Sequence, residues 1–296
     1  MIDLSGRVAL VTGAGGGLGR AYARLLAQRG ARLVVNDLGI GAESVAREIV
    51  EAGGQARAAL CSVTDAAAVQ DMVQETLKDW GRVDILVNNA GILRDKSFVK
   101  MSLDDFRLVI EVHLMGAVNC TKAVWETMRE QKYGRIVMTA SSSGLYGNFG
   151  QSNYSAAKLA LVGLMQTLAL EGAKYGIRVN CIAPTAATQM TQGILAEEPL
   201  KLLRPEFVAP GILALVAESA PTRTTLCAGA GSFEVANITL TKGIHVDGDP
   251  PSAEELVARW ADVVDRQGEM TPAYGLAQSE LELNKAGYPP PETKGA

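Results

Sequence analysis

The sequence predicts an α/β protein built on a doubly wound parallel sheet, and three observations carry that prediction. Short β-rich runs alternate with longer helical patterns, as βαβ units joined into a parallel sheet require. Several of these runs, such as Val8-Ala-Leu-Val11 and Ile85-Leu-Val87, are apolar along most of their length, which suits strands covered by helices on both faces. The first run ends in Thr12-Gly-Ala-Gly-Gly-Gly-Leu-Gly19 and passes straight into a helical pattern, the strand, turn and helix entry of a Rossmann fold. A single domain of this kind is expected over residues 1–245. Residues 246–296 read as a C-terminal extension with one helix and a Pro-rich tail.

In chain order, strands are expected at 7–12, 32–36, 56–61, 84–88, 135–139 and 177–182, with a further strand at 232–236. Helices begin near Leu18, Gly41, Asp65, Ser102, Ser152 and Pro205. The fourth, from 102 to about 131, is the longest, and Ser102-Leu-Asp-Asp105 is a good entry: the serine caps free N–H groups and the acids favour the positive helix end. From 185 to 205 the periodicity fades and Thr, Gln, Glu and Pro become prominent. That segment follows a strand end where ligands of open α/β sheets bind, and a mobile substrate lid is expected there. Residues 252–267 read as an amphipathic helix, and the tail from Gly287 as extended or disordered.

At 48% hydrophobic and 20% charged residues, the 296-residue chain has the makings of a sizeable core. A net charge of -4 without any block of Lys or Arg argues against nucleic acid or an anionic membrane as partner. Cys61, Cys120, Cys181 and Cys227 are widely spaced and only two histidines are present, so neither a metal site nor a disulfide scaffold is expected. The opening Met-Ile-Asp-Leu-Ser-Gly-Arg has no basic start or apolar core, and the final Thr-Lys-Gly-Ala is no peroxisomal Ser-Lys-Leu address; a cytoplasmic location is the expectation. The apolar stretch around 159–170, interrupted by Gln166, is shorter than the ~20 residues of a membrane span and reads as a buried helix.

The chemistry centres on Tyr154 and Lys158, four residues apart in a helical pattern and so on one face, one turn apart. A cation held beside a phenol favours the phenolate, which brings a poor acid or base closer to use at neutral pH. Such a spacing is common on helices by chance, and context decides. The glycines of the first turn let the backbone approach a pyrophosphate at the positive end of the next helix. The second strand ends Val34-Val-Asn-Asp37, about 20 residues on, where an acid meets ribose hydroxyls and repels a 2′-phosphate, so NAD rather than NADP is expected. Asp84-Ile-Leu-Val-Asn-Asn-Ala-Gly91 ends a strand at the same sheet edge; Ala90 and Gly91 permit close approach, and Asn88 and Asn89 tie the loop.

Together these motifs resemble the short-chain dehydrogenase/reductase family, in which Thr-Gly-x-x-x-Gly-x-Gly, Asn-Asn-Ala-Gly and Tyr-x-x-x-Lys follow in this order, over residues 5–240 here. The resemblance implies that Tyr154 is the general acid/base, that Lys158 binds the nicotinamide ribose and depresses the tyrosine pKa, and that Ser141, 13 positions before Tyr154, holds the substrate oxygen. It implies an NAD site made by Gly13, Gly17, Leu18, Gly19, Asp37, Ser62, Val63, Asn89, Ala90, Gly91, Tyr154, Lys158 and Thr188. Three departures stand out. His113 replaces the usual asparagine of the long helix and enters only as a tentative catalytic member, Ser62 stands where many relatives place an aspartate, and Thr185 where glycine is commoner.

Val11–Tyr22, Val35–Gly39, Asn89–Asp95, Lys132–Met138 and Gly144–Gln151 are most similar to the branch that oxidises (3R)-hydroxyacyl-CoA to 3-ketoacyl-CoA, and His113 fits that branch as well. An acyl-CoA is thus the implied substrate, a free hydroxysteroid the nearest rival, and self-association as a homodimer or homotetramer the implied assembly. A cofactor-binding sensor or scaffold with little turnover is the alternative of a different class, since fold does not dictate function.

Overall fold

The computed structural model describes residues 1–187 and 197–288. The chain falls into two compact units, Met1–Ala236 and Asn237–Ala296, the first closing with the last strand of the sheet, where the sequence reading placed the division after residue 245.

The first unit alternates β1 (Val8–Thr12), α1 (Gly17–Gln28), β2 (Arg32–Asp37), α2 (Gly41–Glu51), β3 (Gln55–Leu60), α3 (Ala66–Trp80) and β4 (Ile85–Asn88). Then come α4 (Leu103–Ile110), α5 (Gly116–Gln131), β5 (Gly134–Thr139), α6 (Ser142–Tyr146), α7 (Ser152–Gly172), β6 (Ile177–Thr185), α8 (Glu197–Leu202), α9 (Ala209–Val216), β7 (Thr225–Gly229) and β8 (Ser232–Ala236). The sheet order is β3-β2-β1-β4-β5-β6-β7-β8. Every pairing is parallel except that of β7 with β8. Strand order reverses between β1 and β4, which opens a crevice at the carboxyl ends of the strands, where ligands of this architecture bind.

Two apolar layers cover the sheet. One packs Tyr22, Leu26, Val45 and Ile212 of α1, α2 and α9 on one face; the other packs Met72, Val124, Leu161 and Met165 of α3, α5 and α7 on the opposite face. Each fully buried aliphatic side chain of this size stabilises the fold by roughly 1.5–3 kcal/mol. At the amino-terminal strand ends the fully buried Asp84 accepts from the Val8 N–H at 2.9 Å and pairs with Arg7 and Arg82. This carboxylate fastens β1 to β4 at the end of the sheet remote from the crevice.

Three expectations need correction. The helix expected over 102–131 is two helices joined by a π turn, Glu111–Met115, which places one extra residue in the ladder. The amphipathic helix expected at 252–267 is two short pieces, α10 (Ala253–Ala258) and α11 (Trp260–Val263), parted at Arg259. The helix of the apolar stretch runs on through a 3₁₀ turn as Ser152–Tyr175, 24 residues, and by length and composition alone could cross a membrane. Its Leu161, Val162, Met165 and Ala169 instead cover the sheet. The structure also adds β7 and α12 (Leu276–Lys285), which the sequence reading did not contain. Residues 188–196 of the expected lid and the tail beyond 288 lie outside the described residues; the rest of the lid segment contains the end of β6 and α8.

In the second unit, Leu240 and Met270 form an isolated antiparallel bridge and Thr241 Oγ1 donates to Val263 O at 2.8 Å. None of its described residues is fully buried.

Candidate active site

The glycine turn after β1 is shaped by contacts that side chains would break. A Cβ on Gly13 would lie 2.7 Å from Ala90 Cα, and one on Gly19 would lie 2.3 Å from Gly13 O. Gly13 and Gly17 have φ of 61° and 51°, a region that favours glycine. Gly16 precedes α1 with no side-chain cap and with open space where its Cβ would be, so the first N–H groups of α1 face outward with the positive helix end behind them. Asp37 ends β2 beside this turn. Its Oδ2 accepts from Gly15 N at 2.9 Å and its Oδ1 from Leu38 N at 2.7 Å, leaving lone pairs for hydroxyl donors.

The β4 loop is bound to the same turn. Asn89 Nδ2 donates to Thr12 O at 3.0 Å and Gly13 O at 3.1 Å, and Thr12 Oγ1 accepts from the N–H groups of Asn89 and Ala90. Asn88 Nδ2 donates to Thr121 Oγ1 at 3.0 Å. Val63 is buried against Gly116, and its carbonyl accepts from Asn119 Nδ2 at 2.9 Å. The Ser62 hydroxyl lies 2.8 Å from Thr64 Oγ1 in a local turn. The bare helix end and the close approach permitted by Gly13, Gly15 and Gly16 fit the pyrophosphate of a dinucleotide.

On the other side of the crevice, β5 ends in Thr139 and leads through Ser141 into α6. Ser141 caps α6, its Oγ accepting from Ser143 N at 3.2 Å, and its hydroxyl lies near enough to the Tyr154 phenol to favour the ionised form. Gly144 makes that meeting possible, because a Cβ there would lie 2.7 Å from Lys158 Cβ and hold α6 away from α7. Lys158 is buried, donates from Nζ to Thr139 O at 2.6 Å and lies 5.4 Å from the Tyr154 ring centroid. Burial pushes its ammonium down to about 7. Burial also raises the Tyr154 phenol above its ordinary value; the Ser141 hydroxyl opposes the rise and the Asp95 charge adds to it. Lys158, which the resemblance implied would depress the phenol, is not among the causes that act on Tyr154 in the protein alone, where desolvation is the largest.

The π turn aims His113 into this site. Its Nε2 lies 2.8 Å from Ile92 O and 3.1 Å from Ile92 N, the shorter contact favouring the tautomer that donates to the carbonyl. The ring meets Tyr154 edge to face at 5.2 Å between centroids. Burial, and secondarily the Lys158 charge, pushes its pKa down to about 3, so the imidazole is neutral at working pH. Gly91 is what admits the ring: a Cβ there would lie 2.2 Å from His113 Cε1. His113 Nδ1 and Asn88 Oδ1 are buried without partners among the described residues, and both residues line a small cavity of about 10 Å³, close to the size of one water, with Lys158, Thr12 and the apolar Val63, Val112 and Leu161.

Ser141, Tyr154, Lys158, His113, Ala90 and Gly91 thus come together at the carboxyl edge of the sheet, with Gly13, Gly17, Leu18, Gly19 and Asp37 at the first turn and Ser62 and Val63 flanking it. Thr188 lies outside the described residues. Sequence reasoning overlooked the Thr139 carbonyl, a main-chain group that no residue type reveals, and Gly144, whose signal was the small residue following Ser141-Ser-Ser143. Among the described residues no three His, Cys, Asp or Glu side chains gather as a metal site would require.

A doubly wound sheet with a phosphate-binding turn and a Ser, Tyr and Lys group at its carboxyl edge defines a dinucleotide-dependent oxidoreductase. The chain belongs to the short chain dehydrogenase family, whose model matches residues 7–199. It is 46% identical to a short-chain type dehydrogenase/reductase of Mycobacterium tuberculosis, over 90% of this chain and 97% of the relative. It is also 46% identical to peroxisomal multifunctional enzyme type 2 of Drosophila melanogaster, over 95% of this chain but 50% of that enzyme. The solved structure of that full-length enzyme superposes with a TM-score of 0.83 at 39% identity, over 96% of this chain and 50% of that one. The chain therefore spans about half the length of this relative. A 7α-hydroxysteroid dehydrogenase complexed with NADH and 7-oxo glycochenodeoxycholic acid superposes with a TM-score of 0.72 at 30% identity, over 78% of this chain and 95% of that one.

Proposed function

We propose that the protein oxidises a (3R)-hydroxyacyl-CoA to the 3-ketoacyl-CoA with NAD, in a β-oxidation-type sequence. The observation that carries this reading is the convergence of Ser141, Tyr154 and Lys158 beside the glycine turn. The N–H groups of the Gly13–Gly19 turn would hold the pyrophosphate, Asp37 the adenosine ribose, Ser62 and Val63 the adenine, and Lys158 with Ala90 and Gly91 the nicotinamide end. Bound NAD supplies the hydride acceptor and a positive charge beside the phenol. Tyr154 takes the proton of the substrate hydroxyl as the C–H bond of the same carbon breaks, and Ser141 donates a hydrogen bond to that oxygen. Lys158 adds positive potential, and His113, neutral and held by Ile92, packs against the phenol ring and keeps it in place. The substrate class is supported by the family branch and by the peroxisomal multifunctional relative.

NADH formation measured across (3R)- and (3S)-hydroxyacyl-CoAs and free hydroxysteroids tests the reading. Turnover of the (3R)-thioesters is expected; activity confined to free steroids would overturn the substrate class. Tyr154→Phe should still bind NAD while turnover falls by about 10²–10⁴, and unchanged turnover would remove Tyr154 from the mechanism. The assembly proposed is a homodimer or homotetramer paired through α4, α5 and α7, where Leu108, Leu159 and Leu170 stand exposed.

A further inference from the structure

The start of α2 presses on the glycine turn, and nothing in the chemistry above uses that contact. A Cβ on Gly41, the first residue of α2, would lie 2.6 Å from Gly15 O and 3.2 Å from Gly15 Cα. A Cβ on Gly15 would lie 2.9 Å from Asp37 Oδ2 and 3.1 Å from Ala42 N. Ordinary carbon contacts lie at ~3.5–4 Å, so neither position has room for a side chain in this packing. Neither glycine lies in the left-handed region, so what each supplies is space rather than backbone freedom. By contrast, a Cβ on Gly39, two residues before Gly41, would meet nothing.

Three elements thus meet at Gly15, itself in the turn after β1. From β2 the Asp37 carboxylate accepts its N–H at 2.9 Å, and from α2 Gly41 and Ala42 approach its backbone. Leu38, Gly39 and Ile40 are all that join β2 to α2, and Ala42 N donates to Gly39 O at 3.2 Å across that connection. α2 does not retreat freely, because Ala42, Val45 and Ile49 are buried in the apolar layer. Nor does the turn, because Gly13 lies against Ala90 and Asn89 Nδ2 donates to Thr12 O and Gly13 O. Resting on the reading of this turn as the pyrophosphate cradle, we propose that Gly41 is a positioning residue for NAD. By letting α2 rest on Gly15, it sets the place of the turn's N–H groups and of the Asp37 carboxylate together. Pyrophosphate and adenosine ribose then meet one preformed surface, whose rigidity lowers the ordering cost of binding. Ser141 precedes α6, and Tyr154 and Lys158 stand on α7, so the influence of Gly41 falls on cofactor affinity and not on the hydride step.

Calorimetric titration of the full chain with NAD, and with ADP-ribose, which keeps the pyrophosphate and both riboses but lacks the nicotinamide, measures this without any turnover. Gly41→Ala should weaken both ligands by about tenfold, the equivalent of roughly one charge-assisted hydrogen bond, and leave kcat at saturating NAD within about twofold. Gly39→Ala, in the same connection but free of contacts, should leave both affinities unchanged. Gly15→Ala meets the contact from its other partner and should weaken both ligands as well; it decides the matter if circular dichroism shows Gly41→Ala unfolded. Unchanged affinity in a folded Gly41→Ala or Gly15→Ala, an equal loss in Gly39→Ala, or a fall in kcat without loss of affinity overturns the proposal. Failure of both variants to fold would assign the contact to stability alone and overturn it too. A wild-type chain that binds neither NAD nor ADP-ribose overturns the dinucleotide reading instead.

Discussion

Replacing Lys158 by Met should make the protein more stable and inactive, and the gain should fade as pH rises. The side chain is 3% exposed and makes one hydrogen bond, to Thr139 O at 2.6 Å. Burial takes its pKa from 10.5 to about 7. At about 1.4 kcal/mol per unit, the buried ammonium costs roughly 5 kcal/mol relative to the unfolded chain wherever both states are protonated, that is, below the folded pKa. Between the two pKa values the unfolded chain keeps a proton that the folded chain has released, so wild-type stability climbs with pH across that window. Loss of the Thr139 bond takes back ~1–2 kcal/mol. Lys158→Met should therefore exceed wild type by about 3 kcal/mol at pH 6 and by about 1 kcal/mol or less at pH 9. Urea unfolding at both pH values measures this. A variant less stable than wild type at pH 6, or a difference that does not change with pH, would refute the reasoning.

Two further substitutions test the geometry. Gly91→Ala drives a Cβ to 2.2 Å from the His113 ring and should cost ~1–3 kcal/mol of unfolding free energy. In a His113→Ala background the same change should cost less than half as much, and additive costs in the double-mutant cycle would show that the ring is not the obstacle. Asp37→Asn retains an oxygen at the end of β2 but removes the charge that a 2′-phosphate would meet. Its kcat/KM for NADP relative to NAD should rise about tenfold or more, and an unchanged ratio would clear Asp37 of setting cofactor choice.

Much of this architecture was legible in the chain because its signals are local. Apolar runs such as Val8–Val11 sit between helical patterns, and β1, β2, β4 and β5 lie within a residue of their expected bounds. Gly41, Asp65, Ser102 and Ser152 begin or cap the helices expected at those positions. What escaped was structure whose cause is elsewhere. β7 is a five-residue strand in a polar stretch between Pro221 and Gly231, and it is defined by pairing with β6 and β8 rather than by its own pattern. The π turn shifts the helix ladder by one residue between two segments that share a buried face, so hydrophobic spacing does not register it. The break at Arg259 likewise interrupts a pattern that reads as continuous.

The sequence by itself determined that a glycine turn would follow the first strand, that Asp37 would close the second, and that Tyr154 and Lys158 would share a helix face, because each of these is a matter of spacing along a single element. The tertiary structure decided how those groups behave. Packing α6 on α7 across Gly144 brought Ser141 to Tyr154, and the Thr139 carbonyl received Lys158. The Gly91 gap admitted a histidine ring against the phenol. Burial at the meeting of these elements then set both titrations, raising the phenol and lowering the ammonium, since desolvation depends on what surrounds a group and not on its neighbours in the chain.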